Sequence, residues 1–154
     1  MTQSSGQFHA FNNQMISSLV AALLSAWNSH DHEMIASFYA PDYEGIDVAW
    51  ATPRFGPEGV RQTVARYLAA FPDLHFTEEA TLIQGTRAAL FWVARGTHQG
   101  KLLNIPATGR EINVRGVSLL TIIEDKITYS LHVWDVAGLL RNLNLLPELP
   151  EQDY

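Results

Sequence analysis

Hydrophobic residues in the first part of the chain are spaced three and four apart, which is the period of an amphipathic helix. The longest such stripe comprises Ile16, Leu19, Val20, Leu23, Leu24 and Trp27. It predicts a helix that begins at the capping residue Asn12 and ends near Ser29. The polar residues 1–10 that precede it are expected to form a flexible tail.

Two shorter helices are predicted after the first. Asp31 can cap one that ends before Pro41, because the residue preceding a proline disfavours the helical conformation. Pro57, at a first helical position, opens the other, whose hydrophobic stripe ends at Phe71. Between these helices, residues 43–50 are rich in β-forming side chains and predict one strand, followed by a loop.

From residue 74 onward the hydrophobic period changes to two, the alternation that is typical of β-strands. Four strands are predicted, over residues 74–84, 87–99, 110–124 and 126–136. The turns Gly85-Thr86 and Glu124-Asp125 are short enough for hairpins, so we expect consecutive antiparallel pairing. A final short helix is expected over residues 136–143.

Helices followed by a long antiparallel sheet are typical of an α+β fold. We predict one domain over residues 11–146, in which a curved, mostly antiparallel sheet is closed by the three N-terminal helices. Residues 147–154 are expected to form a C-terminal tail. A sheet that curls around helices leaves a central apolar pocket, which suits an apolar ligand.

Composition narrows the function classes. With 154 residues, 47% of them hydrophobic, the chain can bury one sizeable core. A net charge of −6 and scattered Lys and Arg residues argue against a nucleic-acid partner. No apolar run approaches the roughly 20 residues that span a bilayer, and no signal peptide is evident, so we expect no membrane partner and a cytoplasmic location.

No metal site is predicted. The chain has no cysteine, and therefore no thiolate ligand. His30 and His32 beside Asp31 form the closest cluster of potential ligands, but adjacent residues at a helix start do not converge on one point.

Asp135 is the first candidate for chemistry. Counting back by twos gives Val133, Leu131, Tyr129 and Ile127, so strict alternation places its carboxylate on the apolar, inward face of a strand. A carboxylate in apolar surroundings suits a general base near neutral pH. Alternatively, Asp135 caps the helix that begins at Val136, a position where aspartate is common.

His98 is the second candidate, because the same counting places it inward at the end of another strand. Its imidazole could donate a hydrogen bond to a substrate or shuttle a proton. Alternatively, it is a structural histidine bonded to neighbouring backbone. His132 lies on the opposite face from Asp135 if alternation holds, and is therefore a weaker candidate.

Several other residues are expected to contact a flat, ring-containing ligand. They are Trp27, Trp50, Trp92, Tyr129 and the second inward carboxylate, Asp47. The alternative is that the aromatic residues only fill the core, as most large aromatics do. Among them, Trp50 follows a strand end beside a loop, where it could line the mouth of a cavity.

The segment GTHQGKLLNIPATGREINVRGVSLLTIIEDKITYSLHVWDVAGLLRNL, which begins at Gly96, resembles the SnoaL-like family of polyketide cyclases. The shared pattern is Gly-Thr-His-x-Gly, then Pro-x-Thr-Gly, then a Lys-Ile strand that ends in an aspartate before Gly-Leu-Leu. The upstream runs WNSHDHEMIASFYAPDY and GPEGVRQTVARYLAAFPDLHF also resemble this family. The resemblance implies the cone-shaped α+β barrel shared with ketosteroid isomerase and scytalone dehydratase.

The resemblance also implies a reaction. An aspartate at the position of Asp135 would abstract a proton next to a carbonyl, so that the carbanion closes a ring by aldol condensation. His98 matches the histidine of the Gly-Thr-His motif, which would either contact the substrate or support the pocket, and we expect it to assist Asp135. No metal or cofactor would be needed, because the substrate's own conjugation delocalises the charge.

We therefore expect an enzyme of aromatic polyketide tailoring whose partner is a small aromatic or polycyclic substrate. A cofactor-independent hydroxylase of the same substrates and a non-catalytic ligand-binding domain are the alternatives. A homodimer or homotetramer is also expected, because exposed sheet faces favour self-association.

Overall fold

The computed structural model describes residues 3–147, which form four helices and six strands. In chain order these are α1 (Gln3–Ser29), α2 (His32–Ala36), β1 (Tyr39–Asp47), β2 (Arg54–Phe55), α3 (Gly56–Ala70), β3 (His75–Gln84), β4 (Arg87–Thr97), β5 (Glu111–Ile123), β6 (Lys126–Trp134) and α4 (Val136–Asn142). The predicted C-terminal tail lies, apart from residue 147, outside the described residues.

The strands form a single curved sheet in the order β2-β1-β6-β5-β4-β3. All neighbouring strands are antiparallel except β1 and β6, which are parallel. The predicted α+β fold and the consecutive pairing of the four long strands are confirmed. The sheet is open, with β2 and β3 at its edges, and the helices cover its inner face.

Helix α1 is longer than predicted. It begins at Gln3, so residues 3–10, predicted as a flexible tail, are helical and the predicted start at Asn12 is wrong. Asn12 lies inside the helix, where its Nδ2 donates to the carbonyl oxygen of Gly85 at 2.8 Å instead of capping. The helix cap at Asp31 is confirmed, because its Oδ1 accepts from the backbone N–H of Met34.

Strand β1 begins at Tyr39, earlier than predicted, and the predicted loop after it contains a short strand, β2, in which Arg54 pairs with Gly45. The pairing of β1 with β6 is irregular between Tyr39 and Glu44. Pro41 lies in this interval, and because proline has no N–H it belongs where ladder hydrogen bonds are interrupted. The proline therefore sits inside the strand and not, as predicted, at the end of a helix.

A β-bulge in β6 controls which residues of that strand face inward. Thr121 pairs with Tyr129 and Ile122 with Ile127, so Thr128 is an extra residue on β6. Before the bulge the inward residue is Ile127, and after it the inward residues are Ser130, His132 and Trp134. An extra residue reverses the alternation, so the predicted inward placement of Asp135 is wrong.

The core lies between the helices and the inner face of the sheet. Its fully buried side chains include Ile16, Val20, Ile35, Val64, Leu120 and Ile127. The predicted stripe of the first helix is therefore confirmed as the face that packs on the sheet. Of the helices described between residues 3 and 147, none is long and apolar enough to cross a membrane.

Candidate active site

The larger of two adjoining cavities lies between the helices and the inner face of the sheet and has a volume of about 100 Å³. Most of its wall is aromatic or aliphatic and includes Trp27, Phe71, Phe76, Trp92, Val114 and Trp134. The polar side chains on this wall are those of Asp47, Thr63, Tyr67 and His132. A largely apolar space with a few convergent polar groups is the usual form of a small-molecule site.

The second cavity, of about 40 Å³, is more polar. Tyr39, Tyr43, Trp50 and Arg54 line it, and it shares Trp27, Asp47, Thr63 and His132 with the first cavity. Asp47 is paired with His132 across the parallel strands β1 and β6. The carboxylate and the imidazole therefore stand side by side where the two cavities meet.

Three donors hold the carboxylate of Asp47 in one orientation. Its Oδ1 accepts from the indole Nε1–H of Trp134 and from the backbone N–H of Ala49, both at 2.9 Å. Its Oδ2 accepts from the hydroxyl of Tyr67 at 2.6 Å. Because a carboxylate offers about four lone-pair positions, one position on Oδ2 is left for a ligand.

Tyr67 comes from α3 and remains a hydrogen-bond donor. Burial, together with the negative charge of Asp47, raises the pKa of the Tyr67 hydroxyl well above its usual value. The indole of Trp50 donates to the same hydroxyl at 3.0 Å, and the guanidinium groups of Arg54 and Arg66 lie over the Trp50 ring. The loop that carries Trp50 is thereby tied to the Asp47 carboxylate through Tyr67.

Both ring nitrogens of His132 are hydrogen bonded to serines. Nδ1 lies 2.7 Å from the Oγ of Ser118, and Nε2 lies 2.9 Å from the Oγ of Ser130. Burial lowers the pKa of His132 below its ordinary value, and the nearby charge of Asp47 opposes that shift only in part. His132 is therefore a neutral imidazole at neutral pH.

Asp135 does not line either cavity. Its side chain is exposed at the end of β6, and its Oδ1 accepts from the backbone N–H of Gly138 at 2.7 Å. This contact caps α4, so the alternative raised by the sequence, a helix cap, describes the observed position.

His98 is fully buried but also lies outside the walls of both cavities. Its Nδ1 contacts the hydroxyl of Thr108 at 3.0 Å, and its ring packs against Phe71. Its backbone N–H and C=O pair with Arg110 and Gly109. His98 therefore anchors the connection between β4 and β5, and burial lowers the pKa of its ring.

The structure brings together four of the residues expected to contact a ligand. Trp27, Trp92 and Asp47 line the first cavity, and Trp50 lines the second. Tyr129 lies on β6 beyond the bulge and lines neither of these two cavities.

Three side chains that line the first cavity, those of Tyr67, His132 and Trp134, were not among the main candidates predicted from the sequence. His132 was assigned to the wrong face because of the bulge. Trp134, two residues further along β6, lies on the same inward face as His132. Tyr67 belongs to the hydrophobic stripe of α3, which conceals the fact that its hydroxyl reaches Asp47. The signal for His132 would have been its alternation with Ser130 and Trp134, counted without crossing Thr128.

Among residues 3–147, no group of three or more His, Asp or Glu side chains is placed to hold a metal ion. The polar groups available at the cavities are a carboxylate, an imidazole, hydroxyls, indole N–H groups and the Arg54 guanidinium. These groups can exchange protons with a ligand and can bind its oxygen atoms.

Comparisons with known proteins agree with this architecture. Nogalonic acid methyl ester cyclase of Streptomyces nogalater is 27% identical over 122 residues, which cover 79% of this chain and 91% of that protein. The crystal structure of IdmH from Streptomyces antibioticus, a candidate polyketide cyclase, is 28% identical with a TM-score of 0.73 and covers 83% of this chain and 97% of its own.

AclR, a candidate hydroxylase from Streptomyces galilaeus, is 25% identical with a TM-score of 0.77, and the match covers 88% of this chain and 84% of that one. The family model for the SnoaL-like polyketide cyclases matches residues 17–143. This match spans most of the chain and includes Asp47, Tyr67 and His132. The chain therefore belongs to the family of SnoaL-like polyketide cyclases.

Proposed function

We propose that this protein is a polyketide cyclase-type enzyme that closes a ring in an aromatic polyketide by intramolecular aldol condensation, with Asp47 as the acid/base. Membership of the family supports a cyclase-type enzyme. The observation that carries the mechanism is the position of Asp47, whose oriented carboxylate lies at the junction of an apolar and a polar cavity. This proposal replaces Asp135, the base expected from the sequence, with the carboxylate that lines the cavities.

Asp47 suits this role because its surroundings fix its position and leave it room to react. The hydroxyl of Tyr67 and the indole of Trp134 hold the carboxylate from two sides. The remaining lone pair on Oδ2 can approach a C–H bond of a bound ligand. Fixed geometry of this kind supports proton transfer, which contributes about 10²–10⁴-fold to rates in enzymes.

The proposed reaction balances without a further reactant. The Oδ2 atom of Asp47 takes a proton from a carbon next to a substrate carbonyl, and the electron pair of that C–H bond forms an enolate. The enolate carbon attacks a second carbonyl carbon of the same substrate, so that a C–C bond forms and an alkoxide results. A proton returns from Asp47 to the product, and the carboxylate is restored.

The cavities suit a substrate with a flat apolar body and oxygen atoms at one edge. Trp27, Phe76 and Trp92 offer ring faces and edges to the body, and the first two of these rings pack at 72° to each other. The polar second cavity adjoins at Asp47 and can receive oxygen-bearing groups. A polyketide ring system with ketone groups has this distribution of polarity.

The test is a comparison of Asp47→Asn with Asp135→Asn. The methyl ester of nogalonic acid is the probe substrate, chosen because the S. nogalater relative is named for it. Asparagine keeps the size of each side chain and removes its charge, and it also keeps the helix cap at position 135. We expect ring-closed product from the wild type and from Asp135→Asn, and little from Asp47→Asn. No cyclised product from the wild type would contradict this substrate class.

Hydroxylation of an aromatic polyketide is the second candidate function, and the similarity to AclR favours it. The same carbanion at Asp47 could add to molecular oxygen instead of a second carbonyl group. This step gives a hydroperoxide, which either loses water to leave a carbonyl group or is reduced to a hydroxyl group by a two-electron reductant from solution. Incubation under ¹⁸O₂ separates the two reactions, because an aldol product has the mass of the substrate or of its dehydrated form. A product that gains ¹⁸O would establish the hydroxylase and exclude simple ring closure.

A further inference from the structure

A chain of hydrogen bonds runs from one cavity to the other, and it begins at a group that can only donate. The indole of Trp92, which lines the first cavity, lies 3.0 Å from the Oγ of Ser118. An indole N–H can only donate, so Ser118 accepts at this contact. Ser118 is buried, and among the described residues the other partner of its Oγ is Nδ1 of His132, 2.7 Å away, so donation to that nitrogen satisfies the Ser118 hydrogen.

This direction selects one form of His132. If Nδ1 accepts from Ser118, the proton of the neutral ring is on Nε2. That N–H donates to the Oγ of Ser130 at 2.9 Å. The reduced pKa that burial gives His132 agrees with a neutral ring. Charging the ring would put a second donor opposite Ser118 and leave the Ser118 hydrogen without its acceptor.

The chain continues to Tyr43. Ser130 is fully buried, and in the described part of the chain its Oγ has one other partner, the hydroxyl of Tyr43 at 2.5 Å. Because Ser130 accepts from His132, its own hydrogen can be satisfied only by donation to Tyr43. The hydrogen of the Tyr43 hydroxyl is then left over at the end of the chain.

That last hydroxyl lies at the second cavity. Tyr43 and Gly45 both line this cavity, and a Cβ atom added to Gly45 would fall 2.0 Å from the Tyr43 hydroxyl oxygen. The absence of a side chain at position 45 therefore makes room for this hydroxyl. Between residues 3 and 147, Ser130 is the one hydrogen-bond partner of the Tyr43 hydroxyl, so the hydrogen of that hydroxyl is available to a ligand.

We propose that the second cavity is a binding subsite for a carbonyl or alkoxide oxygen of the ligand, with the Tyr43 hydroxyl as its hydrogen-bond donor and Trp92 as a positioning residue. Arg54 lines the same cavity and, among the residues described, makes no ion pair, so it adds positive charge. Oriented donors of this kind stabilise an oxygen that becomes negative during a reaction.

The subsite rests on the proposed function in one respect, which is that the oxygen belongs to the substrate. In the aldol step, negative charge leaves the Asp47 carboxylate and collects on a substrate oxygen beside it. Burial raises the pKa of Tyr43 to about 12, so its hydroxyl stays protonated and able to donate at neutral pH. Asp47 and Tyr43 would then act on opposite sides of the junction.

Binding of 2-naphthol and of naphthalene, measured by equilibrium dialysis, tests the subsite without turnover. The two probes share a ring system and differ by one hydroxyl. We expect the wild type to prefer 2-naphthol and Tyr43→Phe to lose about fivefold of that preference, the value of one ordinary hydrogen bond. Tyr129→Phe, the control, removes a tyrosine hydroxyl that lies outside the two cavities, and it should leave the preference for 2-naphthol unchanged. An unchanged preference in Tyr43→Phe would overturn the proposal.

The protonation state of the His132 ring gives a second test. Long-range ¹H–¹⁵N NMR distinguishes a protonated Nε2 from a protonated Nδ1 and from a charged ring. We expect a neutral ring with its proton on Nε2 in the wild type, and loss of that preference in Ser118→Ala. A proton on Nδ1, or a charged ring at neutral pH, would reverse the chain and overturn the proposal. Both tests are independent of turnover, so a failure of the aldol mechanism is seen separately in Asp47→Asn.

Discussion

Asp47 carries three hydrogen bonds where two cavities meet, whereas Asp135 carries one at an exposed helix end. The first carboxylate is oriented by donors from a loop, α3 and the end of β6. The second satisfies a backbone N–H of Gly138 that α4 would otherwise leave without a partner. Residues of the same type therefore have different consequences when they are replaced.

Asp135→Ala should lower the free energy of unfolding by about 1 kcal/mol, because alanine cannot cap α4. Asp135→Asn should stay close to the wild type, since asparagine caps a helix about as well. Urea unfolding of the three proteins measures the difference. Equal loss in both variants would mean that the negative charge, and not the cap, is what matters at this position.

Two buried histidines predict how stability depends on pH. Burial lowers the folded-state pKa of His98 and of His132 below the unfolded value of about 6.5. As the pH falls below about 6.5, the unfolded chain takes up protons that the folded chain does not, so stability is lost. Above that pH both states carry neutral rings and these two residues add no pH dependence.

Unfolding in urea at pH 7.5, 6.5 and 5.5 should therefore show a falling free energy toward the lowest value. His98→Gln should show a shallower fall, because one of the two histidines no longer titrates. A free energy that is constant over this interval would contradict the assignment of buried, neutral rings.

At the scale of the elements, the bulge at Thr128 decides how much of the site could be predicted from the sequence. Alternation correctly predicted that β6 is a strand with one inward face. It could not locate an extra residue, because a bulge is determined by pairing with β5 and leaves no mark in the local pattern. Counting by twos across the extra residue therefore predicted that Asp135 faces inward and His132 outward, the reverse of the observed arrangement.

Other elements show the same division between local and long-range information. The turns at Gly85-Thr86 and at Glu124-Asp125 were predicted because they are short enough for hairpins, and in the structure Gly85, Glu124 and Asp125 have positive φ. The start of α1 was missed because Asn12 is a good capping residue that is used instead to bond Gly85. Hydroxyls such as those of Ser118 and Ser130 carry no signal until the strands are paired.

The observed start of α1 at Gln3 can be tested at Gly6. A Cβ at this position would meet no atom within 4 Å, so alanine fits without strain. In a helix interior, alanine is more favourable than glycine by about 0.5–1 kcal/mol. Gly6→Ala should therefore raise the melting temperature and the helical circular dichroism signal. A variant identical to the wild type in both would place the start of the helix after residue 6.

At the scale of the whole molecule, the change of hydrophobic period from helical to alternating was enough to predict the α+β fold. That pattern is repeated over many residues, so single irregularities do not alter the class. The site depends instead on three contacts of Asp47 that join distant parts of the chain. Such contacts are not visible in the local pattern. The resemblance supplied the expected role of Asp135, and alternation counted across the bulge placed it on the wrong face.

Self-association, a property of the whole molecule, stays a prediction. The outer face of the sheet carries exposed hydrophobic side chains, among them Leu82 at 63%, Phe91 at 38% and Val133 at 44% exposure. Phe91 and Val133 both flank Val117 in the same row of the sheet. We expect a homodimer or homotetramer by light scattering coupled to size exclusion, and a smaller species for Phe91→Glu. A monomer at micromolar concentration would contradict this expectation.

The central claim is that Asp47, and not Asp135, exchanges the proton. The most direct measurement is kcat for ring closure of nogalonic acid methyl ester by the wild type, Asp47→Asn and Asp135→Asn. We expect a loss of at least about 100-fold in Asp47→Asn, typical of a removed general base, and a change of no more than about twofold in Asp135→Asn. Wild-type turnover in Asp47→Asn, or its loss in a folded Asp135→Asn, would contradict the proposed site.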